Sequence, residues 1–127
     1  MSVLHLVFFA WKPTVSQEKI AEALDRLVLL EEKCIHPTSK KPYIKSFKAG
    51  ANNSPEGLAV FTPCLYRDHP RLILTQDPCT HGFVVEFESA EDRDYYAAND
   101  PAHDEFKKFA GELLANVKVL DFEPGKY

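Results

Sequence analysis

The apolar residues near the N-terminus alternate on both faces of an extended segment. Residues 3–11 read VLHLVFFAW, in which His5 interrupts one face. A strand with two apolar faces is typical of burial on both sides. The same period returns over 80–88, where one face is apolar except for a histidine: His81, Phe83, Val85 and Phe87. The pattern predicts two strands that each carry a histidine among core residues.

Apolar residues at helical spacing follow each of these strands. The stripe of Ile20, Leu24, Leu27 and Cys34 predicts a helix over about 16–34. After Ser89, a suitable N-cap, a shorter helix should end near Asp100, because Pro101 disfavours a helical residue before it. Asp100 and Pro101 then suit the start of a helix over about 101–115. Weaker strand patterns cover 44–49 and 117–122.

The order of these elements predicts the fold class. Four strands and their helices in the order βαββαβ indicate an α+β, ferredoxin-like unit whose first and third strands are central neighbours. The length of 127 residues predicts a single domain over 1–127. Recurring prolines over 54–79 argue against a central strand there, so we expect an insertion between strands 2 and 3, with a short helix or strand near 71–74.

The predicted helices cover only one face of the sheet. The other face would carry apolar side chains, namely Leu4, Leu6, Phe8 and Val84. Such a face is too apolar to remain in water, and a two-fold dimer is the commonest way to bury it. We therefore expect a homodimer, a dimeric α+β barrel.

Charge and cysteine content exclude several classes of partner. The net charge is −4 without a concentrated run of Lys or Arg, so we expect no nucleic-acid partner. No apolar run reaches the roughly 20 residues of a membrane span, and we expect no membrane partner and no secretory leader. Three cysteines without a C-x-x-C spacing argue against disulfides and zinc. These features favour a cytoplasmic protein with no metal and no cofactor.

Four short motifs carry a resemblance to a known family. They are V-x-H-L-V at 3–7, THGFVVEFES at 80–89, tyrosines before PAH at 101–103, and LDF at 120–122. With these motifs the chain resembles the stress-responsive dimeric α/β-barrel (Dabb) domain proteins, over nearly all of its length outside 54–79. That family includes stress-associated proteins of unclear activity and a plant polyketide cyclase, olivetolic acid cyclase. The resemblance implies the dimeric barrel described above.

The resemblance also implies a site. His103 would be the general base, oriented by the closing-strand Asp121, with an ordinary histidine pKa near neutrality. Tyr95 or Tyr96 would polarise a substrate carbonyl. The motif has one more helical residue than the cyclase pattern, and Asp100 stands where the cyclase has a histidine. Substrate would contact the two strand histidines and the apolar residues beside them: His5, His81, Val7, Phe9 and Phe83.

Adjacent central strands predict that His5 and His81 lie close together across the sheet. The leading hypothesis is a homodimer with a hydrophobic pocket, acting as a cofactor-independent polyketide cyclase or lyase on a small carbonyl or phenolic compound. One alternative is a non-catalytic stress-associated dimer or ligand-binding protein, in which His103 bonds to Asp121 and locks the last helix to the last strand. Another is a cofactor-free monooxygenase of a quinol-like substrate.

Overall fold

The computed structural model describes residues 2–55 and 79–127, which form a four-stranded antiparallel sheet and helices. The strands are β1 (Val3–Trp11), β2 (Ile44–Ala51), β3 (His81–Phe87) and β4 (Leu114–Phe122). The helices are α1 (Gln17–Val28), α2 (Leu30–Lys33), α3 (Ala90–Ala98) and α4 (Pro101–Gly111). The strand order is β2-β3-β1-β4, so the first and third strands are central neighbours. The ferredoxin-like α+β prediction is confirmed.

Burial alternates along β1 because the helices pack on one face of the sheet. Val3, His5 and Val7 are buried, whereas Leu4 and Leu6 between them are partly exposed. The strand register carries this alternation to both neighbours, with Leu6 opposite Val84 on β3 and Leu120 on β4. The helix-free surface is called the open face, and its apolar members are Leu4, Leu6, Phe8, Val84, Leu120 and Phe122.

The first predicted helix is shorter than its apolar stripe suggested. Ser16 caps α1 by accepting a hydrogen bond from the Lys19 amide, but α1 ends at Val28 and a separate turn, α2, begins at Leu30. This break changes which side chains point inward: Leu30 and Cys34 are buried, while Val28 and Leu29 are exposed. The prediction of one continuous helix over 16–34 is wrong.

The last predicted helix also ends early. The α4 helix stops at Gly111, and Leu114 already pairs with Trp11 of β1 as the first residue of β4. The Lys12 amide donates to the Leu113 carbonyl at 2.9 Å, which commits this segment to the sheet. The prediction of a helix extending to 115 is therefore wrong, because the last apolar residues of that segment pair with β1 in the sheet.

The predicted insertion over 54–79 falls between β2 and β3. The Asn52 amide donates to the Thr80 carbonyl at 2.7 Å, so the two ends of this connection lie side by side. Residues 56–78, including the segment proposed near 71–74, lie outside the described residues.

The core fills the space between the helices and the covered face of the sheet. Aromatic rings dominate it, with the Phe9 centroid 5.2 Å from Phe83, 5.4 Å from Trp11 and 6.5 Å from Phe106. Phe87 and Tyr96 continue this layer towards the other end of β1, with centroids 5.1 Å apart. The histidines of β1 and β3 thus lie at the edges of an aromatic core.

Candidate functional site

A histidine and a carboxylate meet across β1 and β4. His5 and Asp121 are directly opposed in the strand register, and His5 Nδ1 lies 2.6 Å from Asp121 Oδ1. An ionised carboxylate can only accept, so Nδ1 of His5 carries a proton and donates it in a hydrogen bond to Asp121. The predicted Asp121–His103 contact is wrong, because His5 and Arg93 occupy the two oxygens of Asp121.

Arg93 is a member of this cluster that the sequence reasoning missed. Its Nη1 donates to Asp121 Oδ2 at 2.9 Å, and its Nε donates to the exposed Asp94 at 2.7 Å. Arg93 lies three residues before Tyr96 on α3, a spacing that places both side chains on one side of the helix. That spacing was the signal in the sequence that could have identified Arg93. Through Arg93, the carboxylate of β4 is linked to the helix that carries Tyr96.

Tyr96, rather than Tyr95, lies among the histidines. Its side chain is completely buried, its ring meets His5 edge-on at 5.7 Å, and it stacks on His103 at 3.8 Å. Tyr95 instead packs edge-on against Tyr43, with centroids 5.7 Å apart. Burial raises the pKa of Tyr96, so its hydroxyl stays protonated and can donate a hydrogen bond. Within the described part of the chain, that hydroxyl has no hydrogen-bond partner.

His103 stands in the first turn of α4, where its ring turns back onto α3. Nδ1 lies 2.7 Å from the Tyr96 carbonyl oxygen, so Nδ1 donates and Nε2 is the unprotonated nitrogen. Burial lowers the pKa of His103 to about 4. The expectation of an ordinary pKa near neutrality is therefore wrong, and the imidazole is neutral at pH 7.

His81 lies away from this group. In the β1–β3 register His81 faces Phe9 whereas His5 faces Val85, and four residues along a strand span about 13 Å. The expectation that the two histidines sit close together is wrong, because the register separates them. Trp11 Nε1 donates to His81 Nδ1 at 2.9 Å, which places the His81 proton on Nε2. Burial lowers the pKa of His81.

The apolar residues predicted to contact substrate are Val7, Phe9 and Phe83, and all three are buried in the core. Phe83, together with His81, also borders a cleft of about 400 Å³ at the ends of β2 and β3. Other described residues bordering this cleft include Phe8, Gly82 and Val84, so it opens toward the open face. The cleft is distinct from the group around Tyr96.

Two classes of feature are absent from residues 2–55 and 79–127. No group of three or more His, Cys, Asp or Glu side chains is arranged to hold a metal ion there. No helix in these same ranges has the length and apolar character needed to cross a membrane. Cys34 and Cys79 are free thiols.

The group that the structure brings together is His5, Tyr96, His103, Asp121 and Arg93. Both imidazoles have Nδ1 engaged, Nε2 of His103 is a proton acceptor, and the ring that carries the protonated Tyr96 hydroxyl contacts both of them. An acceptor nitrogen and a donor hydroxyl are the two functions that proton transfer next to a carbonyl requires. The group can therefore supply acid–base chemistry from side chains alone.

The sequence matches the family model described as the stress responsive A/B barrel domain, Dabb, over residues 3–69 and 66–124. The chain belongs to this family. No curated protein matches it at a significant level.

Solved structures similar to this one share its fold over nearly the whole chain. A protein from Arabidopsis thaliana is 29% identical, with 98% of this chain and 97% of that chain covered and a TM-score of 0.66. A hydroxynitrile lyase from Passiflora edulis is 20% identical, covering 99% and 96% with a TM-score of 0.65. A dimeric ferredoxin-like protein from Thermobifida fusca is 17% identical, covering 96% and 90% with a TM-score of 0.63.

Proposed function

We propose that this chain is a cofactor-independent acid–base enzyme of the polyketide cyclase or lyase type, acting on a small carbonyl or phenolic compound. The observation that supports this proposal is the Tyr96 hydroxyl, which is buried without a partner in the described chain and belongs to a ring that contacts two histidines. Leaving a buried hydroxyl unpaired costs about 1–3 kcal/mol. A substrate carbonyl oxygen that accepts this hydrogen bond would remove that cost.

Each side chain has a defined part in the proposed reaction. His103 Nε2 takes a proton from the substrate carbon or hydroxyl, while its Nδ1–H remains bonded to the Tyr96 carbonyl. The Tyr96 hydroxyl donates to the carbonyl oxygen as negative charge develops on it. Asp121 holds the His5 ring through Nδ1, and the other ring nitrogen, Nε2, would bind polar groups of the substrate. The apolar end of the binding region consists of Val7, Phe9 and Phe83. Tyr95 supports this region through its edge-on contact with Tyr43.

The same proposal includes a homodimer built on the open face. Apolar side chains are paired across this face, with Leu4 opposite Phe122 and Leu6 opposite Leu120. Phe122 and Leu120 are both exposed in the single chain. Burial of such a surface against a copy of itself yields about 25 cal/mol for each Å² removed from water. Structural neighbours described as dimeric, such as the Thermobifida fusca protein, support a homodimer.

Turnover assays with matched tyrosine variants test the enzymatic proposal. An aromatic cyanohydrin is one probe, chosen because one neighbour is named a hydroxynitrile lyase, and a linear polyketide thioester is the other. Removing a general acid or base typically slows a reaction 10²- to 10⁴-fold, so we expect losses of about this size for Tyr96→Phe and His103→Ala. Tyr127→Phe, at the fully exposed C-terminus, should retain the activity.

A non-catalytic stable dimer is the second candidate. The observation that favours it is the packing of Tyr96, whose ring is fully buried and stacked on His103, so a ligand would have to displace side chains to reach the hydroxyl. No turnover of either probe by a folded dimer would favour this candidate. If His103→Ala unfolds the protein instead of abolishing turnover in a folded protein, His103 is a structural residue.

A further inference from the structure

The start of α4 is held by a buried carboxylate. Asp100 is 1% exposed, and its Oδ1 accepts hydrogen bonds from the Ala102 amide at 2.8 Å and the His103 amide at 3.3 Å. His103 is therefore attached to Asp100 through its own backbone. A buried carboxylate is stable only when donors satisfy both of its oxygens.

The second oxygen of Asp100 is satisfied from a distant part of the chain. Tyr43, which directly precedes β2, donates its hydroxyl to Asp100 Oδ2 at 2.5 Å. Burial and the adjacent carboxylate raise the pKa of Tyr43, so this hydroxyl remains a donor. The neighbouring Cys34 thiol is also fully buried, and burial raises its pKa to about 12, so it adds no second negative charge.

We propose that Tyr43 is a positioning residue for His103, acting through Asp100. The Tyr43 hydroxyl holds the carboxylate, the carboxylate holds the first turn of α4, and that turn places the His103 ring with Nδ1 on the Tyr96 carbonyl. The inference rests on the proposed function for the catalytic use of His103, but the placement itself is a separate physical claim. The inference gives a positioning role to Asp100, the residue that stands where the cyclase motif carries a histidine.

Removal of the Tyr43 hydroxyl should release this arrangement. In Tyr43→Phe, Asp100 Oδ2 would be buried with one donor fewer, and the carboxylate would turn toward water and give up its bonds to α4. His103 would then lose its fixed orientation, and its proton would distribute between Nδ1 and Nε2. Asp100→Asn should be milder, because asparagine is an equally good N-cap and its amide can still face the Tyr43 oxygen.

The test is the tautomer of His103, measured in the full-length protein by long-range ¹H–¹⁵N NMR at neutral pH. We expect only the Nδ1–H form in the parent protein and in Asp100→Asn, and a second, Nε2–H set of signals in Tyr43→Phe and Asp100→Ala. Ile20→Val, which trims a buried side chain of α1, is the control for general destabilisation and should show the parent pattern.

An unchanged His103 spectrum in Tyr43→Phe would overturn the inference. The appearance of the Nε2–H signals in Ile20→Val would overturn it as well. The readout does not depend on turnover. A protein without activity but with the expected tautomer change would disprove the proposed enzyme while supporting the positioning role of Tyr43. If Asp100→Ala fails to fold, Tyr43→Phe against Ile20→Val still decides the question.

Discussion

His5 and Asp121 are directly opposed on neighbouring strands, with His5 Nδ1 2.6 Å from Asp121 Oδ1. The second carboxylate oxygen accepts from Arg93 at 2.9 Å. The sheet is thereby joined to α3 through a single partly buried carboxylate. Because the antiparallel register brings the two residues together, this pair forms whenever β1 and β4 pair correctly.

Neutralising that carboxylate should destabilise the fold. We expect Asp121→Asn to lower the free energy of unfolding by about 1–3 kcal/mol, because a partly buried hydrogen-bonded charge pair is broken and Arg93 is left facing an amide. Urea denaturation at fixed protein concentration measures the change. Asp94→Asn is the matched control, since Asp94 also binds Arg93 but its side chain is 68% exposed, and it should cost under about 1 kcal/mol. Equal losses in the two variants would contradict this account.

Two tyrosine-to-phenylalanine substitutions should change stability in opposite directions. Tyr96→Phe removes a buried hydroxyl that has no partner in the described chain, and should be neutral or stabilising by up to about 1–2 kcal/mol. Tyr43→Phe removes a hydroxyl bonded to buried Asp100, and should destabilise by about 1–3 kcal/mol. Thermal and urea unfolding of the pair provide the measurement. A clear loss of stability in Tyr96→Phe would show that its hydroxyl is already satisfied.

The lowered pKa of His103 predicts a specific dependence of stability on pH. The pKa of His103 is about 4 in the folded protein and 6.5 in the free side chain. Between these two pH values, His103 is therefore protonated in the unfolded chain but not in the folded protein. The contribution of neutral His103 is therefore complete above pH 6.5 and is lost as the pH falls towards 4. This loss of stability amounts to about 3 kcal/mol.

Comparison with a variant isolates this contribution from that of the carboxyl groups. His103→Asn retains a donor for the Tyr96 carbonyl but has no titrating ring. Its unfolding free energy should fall less steeply than that of the parent protein between pH 6.5 and 4. Parallel curves for the two proteins would mean that His103 titrates equally in the folded and unfolded states.

The open face predicts a dimer that a single charge can disrupt. Leu120 is 60% exposed in the single chain and lies opposite Leu6 on this face, so Leu120→Glu should shift the sedimentation coefficient to that of a monomer at micromolar concentration. Val28→Glu, on an exposed apolar residue of α1, should leave the dimer intact. A parent protein that sediments as a monomer would contradict the proposed assembly.

Local patterns in the sequence were enough to predict the fold. Two apolar faces marked β1 as buried on both sides, and the order of the elements indicated that β1 and β3 are central neighbours. The helix starts at Ser89 and Asp100 follow from their ability to accept amide hydrogen bonds. Both caps are confirmed, with Ser89 Oγ accepting from the Asp92 amide at 3.1 Å. Helix caps and alternating patterns depend only on residues that are neighbours in the sequence, so they can be predicted without knowledge of the tertiary structure.

Most contacts of the candidate site depend on strand register and helix rotation, which local patterns do not define. The partner of Asp121 follows from the alignment of β4 against β1, and the distance between His5 and His81 follows from that of β3. Whether Tyr95 or Tyr96 points inward depends on the rotation of α3, whose apolar stripe is weak because charged residues surround it. The low pKa of His103 results from burial by distant elements, and no motif around residue 103 encodes it.

Ligand titration followed by NMR of the histidine rings tests the central proposal most directly, because it reports on the group around Tyr96 with or without turnover. A small aromatic carbonyl compound is added to the full-length parent protein and to Tyr96→Phe. We predict saturable shifts of the His5 and His103 ring signals in the parent protein, and a loss of at least tenfold in affinity in Tyr96→Phe, since a hydrogen bond to a buried hydroxyl contributes about 1.4 kcal/mol. No shift at these rings, or changes confined to the His81 cleft, would contradict the account.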